Sequence, residues 1–154
     1  MEGKNAMKKT WFLIFNVLLL SALALSACGG AAATATQPKG TPVPTPPAQY
    51  ASKTNPMAGD QSAADAGKQI FETNCTSCHG TNAKGDGPAA ASLNPKPADL
   101  ADLESSFSDA YIFWRISEGG AIPPFNSQMP TWKSTLSEDQ IWQVITYLRT
   151  FSKQ

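Results

Sequence analysis

Three zones of hydrophobic and polar patterning follow one another along the chain. Trp11 to Leu25 is a largely apolar run of about fifteen residues, short of the roughly twenty that a membrane-crossing helix needs. Residues 30–59 carry no apolar periodicity and hold prolines at 38, 42, 44, 46, 47 and 56 among Ala and Thr. Such a stretch buries too little apolar surface to offset its ordering entropy and is expected to be a mobile, partly extended tether. From Asp60 onward the period becomes helical. Gly67, Ile70, Phe71 and Asn74 share a face, introduced by the capping-box pattern Ser62-Ala63-Ala64-Asp65. Ser108 can cap a second helix bearing Ile112, Phe113 and Ile116, which Gly119-Gly120 stops. Ser137-Glu138-Asp139-Gln140 forms another capping box, and Ile141, Val144, Ile145 and Leu148 follow at helical spacing, closed by Phe151. No strand pattern occurs, and residues 82–97, with two glycines and three prolines, read as loop. The pattern predicts an all-α domain over residues 60–154.

Length sharpens this division. Some 95 residues are few for a self-sufficient hydrophobic core, so an apolar group held inside the domain would supply part of the interior. The N-terminal zone reads as a targeting segment over residues 1–27: Lys8 and Lys9, the apolar run, then Leu25-Ser26-Ala27-Cys28-Gly29, which resembles a bacterial lipobox. Cleavage before Cys28 and acylation there would give a stable multi-chain lipid anchor, with residues 28–59 as the linker. An uncleaved single-span anchor is the alternative. Either arrangement holds the rest of the chain outside the cytoplasm at a bacterial membrane, most simply the cell membrane. The formal charge of zero conceals an acidic domain: from Asp60 on there are eleven acidic and seven basic residues. That balance argues against nucleic acid as a partner.

The decisive chemistry is Cys75-Thr76-Ser77-Cys78-His79, which reads C-x-x-C-H, the attachment pattern of a c-type haem. Two thiols three positions apart reach two vinyl groups on one edge of the macrocycle, and the next imidazole lies beneath the iron. A structural zinc site needs four N or S ligands, whereas His79 is the only histidine and Cys28 the only other cysteine. A thioredoxin-like pair needs a βαβ context that is absent here. The iron's sixth position has one candidate downstream of His79. It is Met129, in the proline-bearing segment from Gly119 to Leu136 between two helices. A thioether there favours reduced iron and raises the potential.

These residues carry a resemblance. Gly67-Lys68-Gln69-Ile70-Phe71, Cys75 to Gly80, Gly85-Asp86-Gly87-Pro88, Met129-Pro130-Thr131-Trp132 and Ile145-Thr146-Tyr147-Leu148-Arg149 occur in an order similar to that of class I, single-haem cytochromes c. The likeness is to the bacterial small-domain type also found in subunits of respiratory and quinol-oxidising complexes. It implies one covalent haem c with His79 and Met129 as axial ligands. It also implies that Gly67 and Phe71 cross Val144, Tyr147 and Leu148, and that a proline carbonyl accepts the His79 Nδ1–H. Pro88 is the best match for that carbonyl, with Pro95 and Pro97 as rivals. Phe107, Trp114, Phe125, Trp132 and Trp142 are expected to pack the pocket and core, and Lys84 and Lys133 to flank an exposed haem edge. The function so implied is electron transfer between a redox donor and acceptor, either protein or membrane complex, by a mobile carrier or a fixed subunit. A haem with an open sixth position, sensing or transforming a small ligand, is the alternative. A hydrolytic enzyme is excluded, because the one histidine is committed.

Overall fold

The computed structural model describes residues 43–101 and 107–151. The targeting segment, Cys28 and most of the linker lie outside the described residues. Among the described residues the elements are α1 (Ala48–Ala51), α2 (Gln61–Asn74), α3 (Thr76–His79), a 3-10 turn (Ala90–Ser92), α4 (Asp109–Glu118) and α5 (Glu138–Leu148). No strand occurs among them, and the fold is all-α as the periodicity predicts. No helix among the described residues is long and apolar enough to cross a membrane.

α2 starts two residues earlier than the Ser62 capping box suggests. The Asp60 carboxylate is the cap, accepting from the amides of Ser62 (2.8 Å) and Ala63 (3.2 Å). A carboxylate that satisfies two free amides at the positive end of the helix dipole outcompetes a single hydroxyl there. α4 and α5 begin as the sequence indicates. Ser108 accepts from the Tyr111 amide, and Ser137 and Gln140 close a reciprocal capping box.

The core is built on the crossing of α2 with α5. Gly67 lies so close to the partner that a Cβ built on it would sit 1.9 Å from the Gln143 carbonyl oxygen. Backbone therefore meets backbone, and the flanking side chains interdigitate. Phe71 and Ile145 are fully buried, and Ile141 and Val144 almost so. Each such side chain contributes about 1.5–3 kcal/mol by leaving water. Phe71 packs on Tyr147 at 5.5 Å between ring centroids, as the resemblance implies. α4 lies against α5 through Phe113 and Trp142, 4.3 Å apart. The two helices are also tied end to end by Arg149, which donates to Asp109 Oδ1 (2.8 Å) and to the Phe107 carbonyl (2.7 Å).

One boundary has to be corrected. Residues 47–59, expected to continue the tether, are folded onto the helices. Tyr50 is buried, 6.1 Å from the Phe113 ring, and its hydroxyl donates to Glu118. Lys53 pairs with Glu138, Asn55 donates to Thr146 Oγ1, and Thr146 Oγ1 donates to the Met57 carbonyl. Proline content described the segment's stiffness and missed its one buried aromatic.

Candidate haem-attachment site

α2 delivers its last turn directly into the cysteine motif. The Cys75 amide still donates to Phe71, and α3 then turns the chain so that His79 and Gly80 donate back to Cys75 and Thr76. This single turn places Cys75, Cys78 and His79 together, all three half-buried, with both thiols free. The following loop folds back onto the motif. Gly85 donates to the His79 carbonyl, Gly87 to Cys78, and Ala89 to Ser77, all within 3.1 Å. Gly87 permits this approach, since a Cβ there would meet the Thr76 and Ser77 carbonyl oxygens at 2.5 Å.

His79 Nδ1 lies 3.1 Å from the carbonyl oxygen of Ala98. A carbonyl only accepts, so the proton resides on Nδ1 and Nε2 keeps its lone pair. That is the tautomer a metal-binding imidazole requires, held by a partner on its far nitrogen. Burial lowers the imidazole's proton affinity below the ordinary value, partly offset by the Ala98 bond, and the neutral form is thereby favoured. Burial, with the Cys78 thiol as the lesser cause, pushes Cys75 up to about 11. The carbonyl assigned by resemblance to Pro88, or to Pro95 or Pro97, thus belongs to Ala98. Pro88 is exposed on the outer side of the returning loop. The chain reaches Ala98 because the Leu100 amide donates to the Ala83 carbonyl at 2.7 Å, drawing the far end of the loop under the imidazole.

Met129 lies in a segment fastened along the end of α4. Its carbonyl accepts from the Gly120 amide at 2.9 Å, and the Ser127 amide donates to Gly120 at 2.7 Å. Trp132 and Lys133 donate to Ile116 and Ser117. Gly119, at φ +72°, both ends the helix and lets the Met129 and Pro130 carbonyls pass, 2.6 Å from where its Cβ would be. Met129 itself is half-buried and packs against the core. Trp114 and Trp142 are buried in that core, with Trp132 and Phe125 partly buried beside it. Lys133 pairs with Glu118 at 2.8 Å, so its charge is engaged within the domain. The sequence reading missed Arg115, whose guanidinium lies 3.3 Å over the Phe125 ring and donates to the Gly119 carbonyl. A charged residue on the edge of an aromatic helix face was the available signal.

Two thiols and a correctly tautomerised imidazole in one turn, backed by a tight loop and an apolar core, fit a covalently held haem. They define the domain as a c-type haem-attachment unit. Comparison with known proteins agrees: the family model "Cytochrome c" matches residues 64–152. The chain belongs to the cytochrome c family, and as such is a haem electron-transfer protein of the c type. It is 32% identical over 103 residues to the cbb3-type cytochrome c oxidase subunit CcoP of Rhodobacter capsulatus, covering 66% of this chain and 34% of that one. It is 31% identical over 91 residues to the subunit FixPc of Rhizobium leguminosarum bv. viciae, covering 59% and 29%. The chain thus spans about a third of the length of these curated relatives. Among solved structures, the Kuenenia stuttgartiensis reducing HAO-like protein complex aligns at TM-score 0.49 and 25% identity, over 59% of this chain and 44% of that one.

Proposed function

We propose that this chain is a membrane-anchored, single-haem electron-transfer module working within or beside a respiratory membrane complex, with His79 and Met129 as axial ligands. The observation that carries the reading is the Ala98 carbonyl on His79 Nδ1, which leaves Nε2 for iron in the same turn as two free thiols. Bound through Cys75 and Cys78, haem c supplies a one-electron Fe(III)/Fe(II) couple. The chain's own residues orient it, exclude water and fix the proton on Nδ1. Met129 is the thioether of a segment already fastened to α4, so a second ligand would come from a loop that needs little ordering. The names of the relatives favour a subunit or close partner of an oxidase as donor or acceptor. Cys28 would hold the module at the outer face of the cell membrane through lipid. Labelled palmitate incorporated by the wild type and equally by Cys28→Ser would remove that anchor.

Absorption spectra of the haem-loaded protein in both oxidation states, with and without carbon monoxide, test the ligation. A reduced spectrum indifferent to carbon monoxide, and a weak far-red sulfur-to-iron band lost in Met129→Ala, are expected. Ready carbon monoxide binding by the wild type would overturn closed ligation and make ligand sensing or catalysis the better reading.

A further inference from the structure

Glu118, the last residue of α4, is a junction between two segments far apart in sequence. Its carboxylate accepts from Lys133 Nζ at 2.8 Å to each oxygen and from the Tyr50 hydroxyl. Its carbonyl accepts from Thr131 Oγ1 at 3.0 Å. Thr131 and Lys133 are two and four residues beyond Met129, and the amides between α4 and this segment bind it from Ile116 to Gly120. The end of α4 is thus the platform on which the methionine segment rests, with the Glu118 carboxylate gripping its far end.

Tyr50 holds that carboxylate from the other side. It stands before the region matched by the family model, in a segment of Pro, Ala and Thr that offers no other large buried side chain. For packing on Phe113 a phenylalanine would suffice. The hydroxyl instead points at the carboxylate already engaged by Lys133, and the segment is pinned behind it by Asn55 and Met57 on Thr146. The mutual bonding is registered in both groups. Burial first, and then the bond to Glu118, raises Tyr50 to about 12, while Lys133 and then Tyr50 lower Glu118.

We propose that Tyr50 is a positioning residue for the axial-ligand loop: through Glu118 it braces the segment from Met129 to Lys133 against the end of α4. This rests on the His79/Met129 reading. The brace sets how readily Met129 leaves the iron, because an external ligand binds only to the fraction of molecules whose loop is open.

The test is imidazole binding to the oxidised, haem-loaded full-length protein, followed by loss of the far-red band. Tyr50→Phe keeps the ring and removes one charge-assisted bond, so imidazole affinity is expected to rise about tenfold. Glu118→Gln should raise it in the same direction. Lys53→Ala, which removes the segment's ion pair with Glu138 and the Lys53 ammonium over the Phe113 ring but leaves the Tyr50 hydroxyl on Glu118, should leave it unchanged. If Tyr50→Phe lowers the melting temperature but not the resistance to imidazole, Tyr50 merely anchors its own segment and the proposal fails. Should that variant not fold, Lys133→Met probes the same carboxylate from its other partner, and unchanged affinity there also overturns the proposal. A wild type without the far-red band would remove the ligand reading itself, and the brace with it. A band present, with affinity unmoved in the variants, would remove the brace alone.

Discussion

Gly67→Ala would be a severe substitution for one that adds a single methyl group. The new Cβ would sit 1.9 Å from the Gln143 carbonyl oxygen, 2.4 Å from its carbon and 2.9 Å from the Val144 nitrogen. A tolerable contact needs about 3.4 Å, so α2 and α5 would have to part by about 1.5 Å. The obstacle is backbone on both sides and cannot rotate away. A radial gap of 0.5–1 Å already forfeits about a quarter to a half of a dispersion contact, and this one opens along the faces carrying Phe71, Ile141, Val144 and Ile145. Overpacking ordinarily costs about 1–3 kcal/mol, and a backbone clash belongs at or above the top of that range. Alanine's better helix propensity returns only about 1 kcal/mol. A net loss of about 2 kcal/mol or more lowers the melting point of a domain this size by roughly 8 °C or more. Thermal unfolding of the haem-loaded protein, followed by far-ultraviolet circular dichroism, measures it. Gly59→Ala is the control: Gly59 has φ +82° and open space around its Cβ position, so only backbone strain of about 1–2 kcal/mol applies. If Gly67→Ala costs no more than Gly59→Ala, the two backbones are not in contact and the account of the core is wrong.

Gly87→Ala places a methyl group 2.5 Å from the Thr76 and Ser77 carbonyl oxygens, so the loop lifts off the motif and haem bound per polypeptide falls severalfold. A pyridine haemochrome assay checks this, and full occupancy would refute it. Glu118 has a folded-state proton affinity below its ordinary value of 4.5, chiefly through Lys133 and next Tyr50. Its contribution is therefore complete above about pH 4.5 and disappears as pH falls through the lower folded value. Urea midpoints of the wild type and Glu118→Gln should differ by a constant amount near neutrality and converge in acid; a gap that widens in acid would contradict the sign.

What the sequence made legible was local. Ser108 and Ser137 announce their helices because a cap and its first turn lie within four residues, and Cys75, Cys78 and His79 share one turn for the same reason. Asp60 was harder to read, because two good capping residues, Asp60 and Ser62, stand two positions apart and either could begin the same helix. Ala98 was beyond local inference. Any residue has a carbonyl, and which one meets His79 depends on how the Leu100–Ala83 bond draws in the loop. Tyr50 was hidden by its neighbours: composition averaged over residues 30–59 describes a tether, while one aromatic, one lysine and one asparagine describe a docked segment.

The crossing at Gly67 also governs the order in which the molecule can be assembled. A chain made from its N-terminus presents Cys75, Cys78 and His79 some sixty residues before Glu138–Leu148 exists to cover α2. Until then the largest buried surface of the domain has no partner, and contacts of such sequence separation form slowly. The attachment turn, whose backbone bonds run within residues 71–89, needs no contact with that last helix to form. The thiols can therefore meet haem on an open chain, and arrival of the last helix would seal the product. Truncation before Glu138 should yield a polypeptide that accepts haem yet never closes around it.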